Sequence, residues 1–258
     1  MVRINVNNLP RMLRSVHNAQ NQWRQQNYAK SVNEFKDDIE KILEILNFYG
    51  KWKSKFSGQI AEKMMPEIFM DGLTSLYFAL FGFYKAANMG LRSQLETALR
   101  LIYFMDHLRE YEWWLNGNEW YKGQKGTYVW GDEFNYFKQI DKISEFEKDL
   151  DSNKKIYSGS SSGKTGNLLK EIYGKLSMSI HTSAQHFQTS TSKFTPKYSR
   201  PKMEEWIKSC RDLQCYIIVS LILCFPKEFN KMSTTEKSAI LNKGVVEEDY
   251  INKINGLI

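Results

Sequence analysis

The chain has 258 residues, 42% of them hydrophobic and 25% charged, which is enough for a sizeable core and close to the ordinary globular mix. Cys210, Cys215 and Cys224 share one apolar stretch with neither CxxC spacing nor a nearby histidine, a pattern that points to neither a disulfide framework nor a zinc site but to small buried hydrophobes. The opening MVRINVNNLPRMLRS has no apolar signal core, and the longest apolar runs, 73–84 and 215–225, fall short of the roughly 18 to 20 residues that cross a bilayer. The expectation is a cytoplasmic all-α multi-helix bundle forming a single domain over 1–258, with no membrane, metal or cofactor.

In chain order, apolar residues at three- and four-residue steps from Pro10 to about Phe56, among them Leu13, Val16, Trp23, Val32, Phe35, Ile39, Ile42, Leu43, Leu46 and Tyr49, predict one long helix or two in series. A second helical region follows Gly58 and runs from Gln59 to Ala87, kinked or restarted at Pro66, and Asn88, Met89 and Gly90 read as a stop. A third helix spans Leu91 to about Leu115 and ends at Asn116 and Gly117. Residues 118–131 carry glycines and aromatics without period and read as a loop, with short helices to Asp151.

Ser152 to Gly166 reads as a flexible basic loop, and Asn167 caps a helix running to about Phe187. Gln188 to Pro201 is a polar, basic connection. Lys202 to Phe225 forms a long buried helix that Pro226 ends or kinks, and the tail adds one short helix opened by a Ser233/Glu236 capping box. The core bundle is expected over about 59–232.

The formal net charge of +7 is unevenly spread, because eight cations face the single anion Glu171 between Ser152 and Arg200. Such a stretch suits either an anionic partner, nucleic acid first, or a solubilising face. Lys164, Lys170 and Lys175 are the candidate nucleic-acid contacts within it.

On the third helix Arg92, Glu96, Arg100, Tyr103 and His107 fall within about 80° of one another, on a stripe bordering the apolar residues Leu91, Leu95, Ala98, Ile102 and Met105. That is either a half-buried site or a ladder in which Glu96 bridges Arg92 and Arg100. On the helix after the basic loop, Tyr173, Ser177 and His181 stand four apart on one face, where a neutral histidine beside hydroxyls suits general acid–base work or a structural hydrogen bond. The run GSSSGKT at 159–165 differs from a phosphate-binding loop: three residues separate its glycines where the motif has four, and no strand precedes it. Nucleotide binding there is a third, weaker alternative. The aromatic group around Trp113, Trp114, Trp120, Tyr136 and Phe137 suits base stacking or a roof over the core.

The segments RSQLETALRLIYFMDH and LLKEIYGKLSMSIHTS resemble the paired helices of HEPN-like proteins, an all-helical bacterial superfamily of nucleases and defence factors. The resemblance covers roughly residues 59–187. It implies a metal-independent ribonuclease or toxin in antiphage defence, with RNA as partner and a homodimer by analogy. It also implies that an arginine holds phosphate and a histidine activates the ribose 2′-hydroxyl, the candidates being Arg92, Glu96, Arg100, His107, Ser177 and His181. Arg100 and His107 have the outer limit of the family spacing, with Leu101 where a polar residue is usual; at Lys175 and His181, lysine replaces the arginine. The other open reading is a non-catalytic helical module that binds or scaffolds a protein partner.

Overall fold

A computed structural model describes residues 11–117, 136–158, 167–180, 197–241 and 246–258. Among them are ten α-helices and no strand, the all-α multi-helix bundle expected from the periodicity. They are α1 (Arg11–Lys53), α2 (Ile60–Leu80), α3 (Tyr84–Asp106), α4 (Leu108–Leu115), α5 (Asp141–Glu147), α6 (Leu168–Ile180), α7 (Arg200–Cys224), α8 (Pro226–Asn230), α9 (Thr234–Leu241) and α10 (Glu248–Leu257). A 3-10 turn covers Ser152–Lys154.

Helix α1 is two helices in series, joined where Phe35 leaves helical geometry (φ −129°, ψ 29°). Its inner stripe, Ile42, Leu46, Tyr49 and Trp52, is fully or almost fully buried, so the N-terminal helix is part of the core and not an appendage. Helix α2 contains Pro66 within a continuous run, so the helix neither stops nor restarts there. As the seventh residue of the helix, Pro66 has no N–H to give the Glu62 carbonyl, and the run continues past that one lost bond.

The α2–α3 boundary lies seven residues earlier than Asn88–Gly90 suggests. The chain turns at Phe81–Phe83, where Gly82 takes φ +79°, a value that costs a glycine little. Helix α3 then passes straight through Gly90. That glycine serves close packing: a Cβ there would sit 2.9 Å from Ser75 Cβ and 3.0 Å from Ser75 Cα. Gly72 does the same one crossing away, where a Cβ would meet Leu46 Cδ2 at 2.4 Å. The two glycines let α2 and α3 lie against each other and against α1.

The predicted helix from Leu91 to Leu115 is broken at His107, which ends α3 and begins α4 with φ −126° and ψ 60°. The C-terminal tail holds two helices where one was expected, and α9 opens on the predicted capping box: Glu236 Oε2 accepts from Ser233 N at 2.8 Å, and Glu236 N donates to Ser233 Oγ at 3.2 Å. Asn167 caps α6 through Oδ1, which accepts from Lys170 N at 3.0 Å. Helix α7 is the central element, buried from Leu213 through Leu223, with Phe225 breaking it before Pro226. Burial pushes the Cys210 and Cys215 thiols up to about 12, consistent with unreactive packing residues. No helix among the described residues is long and apolar enough to cross a membrane.

The stretch expected to be a flexible loop from Ser152 is fastened over its first seven residues. Ile156 and Tyr157 are fully buried, and the buried Glu147 carboxylate accepts from Tyr157 N at 2.6 Å and from Ser158 N at 2.9 Å.

Candidate functional site

Helices α3 and α6 are amphipathic, and their apolar sides meet along Leu91, Leu95, Leu169, Ile172 and Leu176, all buried. At the edge of that seam the aligned polar stripes come together. Arg92 Nε bonds Glu96 Oε1 at 2.9 Å, and Arg92 Nη2 donates to Tyr173 Oη at 2.6 Å. Tyr173 in turn donates to Glu96 Oε1 at 3.3 Å, which closes a ring of three side chains from two helices. The guanidinium also lies over the tyrosine ring, 4.7 Å from its centre, adding a cation–π attraction. Arg92 and Glu96 keep 24% and 20% of their side-chain surface, so the cluster borders solvent without standing free in it.

Of the predicted ladder only the Arg92–Glu96 rung forms; Arg100 makes no ion pair among the described residues. One turn past Tyr173, Ser177 Oγ is buried and has no hydrogen-bond partner among the described residues. Leaving a hydroxyl buried and unpaired costs on the order of 1–3 kcal/mol, so it marks a place where a partner from outside would be welcome.

The seam also includes a residue that the sequence reading missed. Asp71 on α2 accepts from Thr97 Oγ1 at 3.3 Å on the next turn of α3 after Arg92. Burial pushes its carboxyl above the usual range; hydrogen bonds from Ser93 and Thr97 pull it back, and the charges of Glu67 and Glu96 push it up further. Its signal was a lone acid inside the apolar run IFMDGLTSLYFAL, where a solvated charge has no reason to sit.

His107 does not join this group. The sequence stripe assumed a helix through residue 107, whereas the helix ends at Asp106, and eleven residues at about 1.5 Å each put it roughly 16 Å along the axis from Glu96. It has its own surroundings: its ring stacks on Tyr103 at 4.0 Å and meets Tyr136 edge-on at 5.1 Å. Nδ1 lies 2.8 Å from the Tyr103 carbonyl, which only accepts, so Nδ1 is the donor in this bond. Around it Tyr136 donates to Asp106 and Tyr103 donates to Glu110 at 2.9 Å.

The lysines divide as well. Lys175 turns to α7, donating to Ser209 Oγ at 3.0 Å and pairing with Glu205 at 3.3 Å. Lys170 is exposed beside the start of α6. His181, Lys164 and the 159–165 run lie outside the described residues, as does Trp120. Tyr136, Trp113 and Trp114 pack against the core, and Phe137 is fully buried, stacked on Tyr157 at 5.5 Å, so this part of the aromatic group roofs the core.

A cleft of about 880 Å³ lies between α1, α7 and α10. Its charged lining is five carboxylates, including Asp38, Asp212 and Glu247, against Lys208 and Arg211. That excess repels phosphate, so the cleft is not where the chain's positive charge acts. No group of three metal-ligating side chains gathers among the described residues.

Comparison of the chain with protein-family models, with curated proteins and with solved structures finds no match in any of the three.

Proposed function

We propose that the protein is a HEPN-like RNA-acting factor whose working face is the edge of the α3–α6 seam, serving in bacterial defence or as a toxin. The observation that supports this is the Arg92–Glu96–Tyr173 ring with the unpaired Ser177 hydroxyl one turn away. An arginine held by one carboxylate and one phenol is oriented but exchangeable: a phosphate offers its guanidinium two oxygens in place of one. Arg92 would hold the phosphate, Ser177 would take part in its hydrogen bonding, and Glu96 would keep the guanidinium aimed while the site is empty. The base belongs to His181, four residues after Ser177 in the sequence, since His107 lies too far along α3 to reach the same phosphate. Arg100 and Lys170 would steer RNA towards the seam, and a homodimer follows only by analogy with the superfamily.

The test is cleavage and binding of RNA by the purified protein. Cleavage that is lost in Arg92→Ala and His181→Ala, with binding that weakens steeply between about 50 and 200 mM salt, is the expected result. Intact RNA, together with unchanged behaviour of both variants in cells, would remove the reading.

A second reading is favoured by a different observation: Arg92 and Lys175 are each already neutralised by a carboxylate, Glu96 and Glu205. On that reading the ring fixes the register of two helices in a non-catalytic module for a protein partner. It predicts no salt-sensitive RNA binding. Nucleotide binding at 159–165 fails if ATP or GTP leaves the melting temperature unchanged.

A further inference from the structure

The turn between α2 and α3 is surrounded by aromatic rings that the core does not use up. Tyr28 on α1 stacks on Phe81 with ring centres 5.7 Å apart and planes 28° apart, and Phe81 meets Tyr77 at 4.6 Å. Yet Tyr77 remains 54% exposed and Tyr28 46% exposed. Behind them Phe83 packs on Phe78 at 6.0 Å and on Trp23 at 5.3 Å, giving the exposed pair a rigid backing. The backbone beneath is pinned: Asn27 Nδ2 donates to the Phe81 carbonyl at 3.0 Å, and Asn27 Oδ1 accepts from Tyr198 N at 3.2 Å. The result is a firm aromatic surface in which Tyr77 is tilted 55° from Phe81 and two phenol rings remain about half exposed.

The charge around it has one sign. The sequence contains no carboxylate before Glu34, and none between Asp71 and Glu96. Arg24 sits one turn before Tyr28, Lys85 follows Phe83, and the Lys197 backbone lies against Gly82, within 3.3 Å of where a Cβ there would stand. Glu34, the first acid after Tyr28 in the sequence, is engaged by Tyr198 at 2.6 Å and by Arg200 at 4.0 Å.

We infer that this end of the bundle is a stacking platform for single-stranded RNA, with two bases resting on Tyr77 and Tyr28 and the phosphates facing Arg24, Lys85 and Lys197. Flat rings and an excess of cations together favour a strand with unstacked bases over an apolar protein helix, which needs no positive rim, and over a duplex, whose bases are hidden. The inference rests on the RNA reading for its class of ligand and uses a surface on the other side of α3's start from the catalytic proposal.

The experiment is fluorescence anisotropy of the full chain with a labelled oligouridylate of roughly ten nucleotides. Tyr77→Leu and Tyr28→Leu keep apolar cover but remove the ring, and each should weaken binding by about tenfold, while Tyr77→Phe stays near wild type. Arg24→Gln combined with Lys197→Gln should lower the slope of log affinity against log salt by roughly two. Unchanged affinity in both leucine variants overturns the platform. So does a Tyr77→Leu protein that binds the strand normally but loses a dimer by gel filtration or loses binding to vesicles of anionic lipid. If Arg92→Gln weakens the strand and Tyr77→Leu does not, the platform falls and the seam stands; the reverse result removes the seam and keeps the platform, and a wild-type protein that binds no RNA removes both.

Discussion

Gln94 is completely buried, and its amide joins three helices: Nε2 donates to the Ile68 carbonyl at 3.0 Å, and Oε1 accepts from Gln214 Nε2 at 2.7 Å. Gln214 Oε1 in turn accepts from Tyr49 Oη at 2.6 Å, so a polar chain runs through the core from α2 to α1. Gln94→Leu removes one member and leaves the buried Gln214 amide N–H without its acceptor, while the Ile68 carbonyl keeps its place in the α2 backbone ladder; the loss should be about 1–3 kcal/mol, read as a lower midpoint in urea without a change in slope. Asp71 gives a test in pH. Its folded pKa is raised, chiefly by burial, so its ionised form is disfavoured in the native state and stability falls as pH climbs through that raised value. Asp71→Asn should therefore make stability flatter with pH above the ordinary aspartate range and leave neutral-pH stability equal or slightly higher, by less than about 1 kcal/mol because the group is half exposed. A variant whose melting temperature falls with rising pH as steeply as wild type would contradict this. Arg92 and Glu96 were legible at this scale, since four-residue spacing puts them on one face; the partner Tyr173 was legible only as a face on another helix, because which helices meet is a property of packing and not of spacing.

At the scale of elements, the helices themselves were readable from periodicity, and their ends from chemistry where a side chain makes the end. Asn167 and the Ser233/Glu236 pair cap as expected because their oxygens bond the neighbouring amides locally. Gly90 misleads because a glycine in a helix has two explanations, a stop or a close approach, and only the position of Ser75 on the neighbouring helix selects the second. Gly90→Ala should push α3 away from Ser75, whose Oγ accepts from Trp206 Nε1 at 3.0 Å and donates to the Ala87 carbonyl at 2.6 Å. The expected loss is about 1–3 kcal/mol, measured by thermal unfolding, in spite of alanine's better helix propensity. A variant as stable as wild type would mean that the crossing opens without cost. The break at His107 carried no proline or glycine signal, so the sequence offered no reason to end α3 there.

Across the whole molecule, the sequence reading placed the positive charge correctly along the chain but not in space. Lys175 is spent on Glu205, and the cleft between α1, α7 and α10 is lined mostly by acids. The covalent connection across the 159–166 segment has a further consequence. Leu168 N donates to Lys155 O and Leu169 N to Ile156 O at 3.1 Å, and Asn167 Nδ2 donates to Tyr157 O at 3.0 Å. The two flanks of the chain are thus tied just outside that segment, and α6 and α7 are joined to α3 and α1 by buried side chains. A protein cut between Ser158 and Asn167 should therefore behave as a two-piece molecule: its fragments should co-elute and melt together, and a pair expressed as separate polypeptides should assemble, which would supply a ready split reporter for whatever the seam binds.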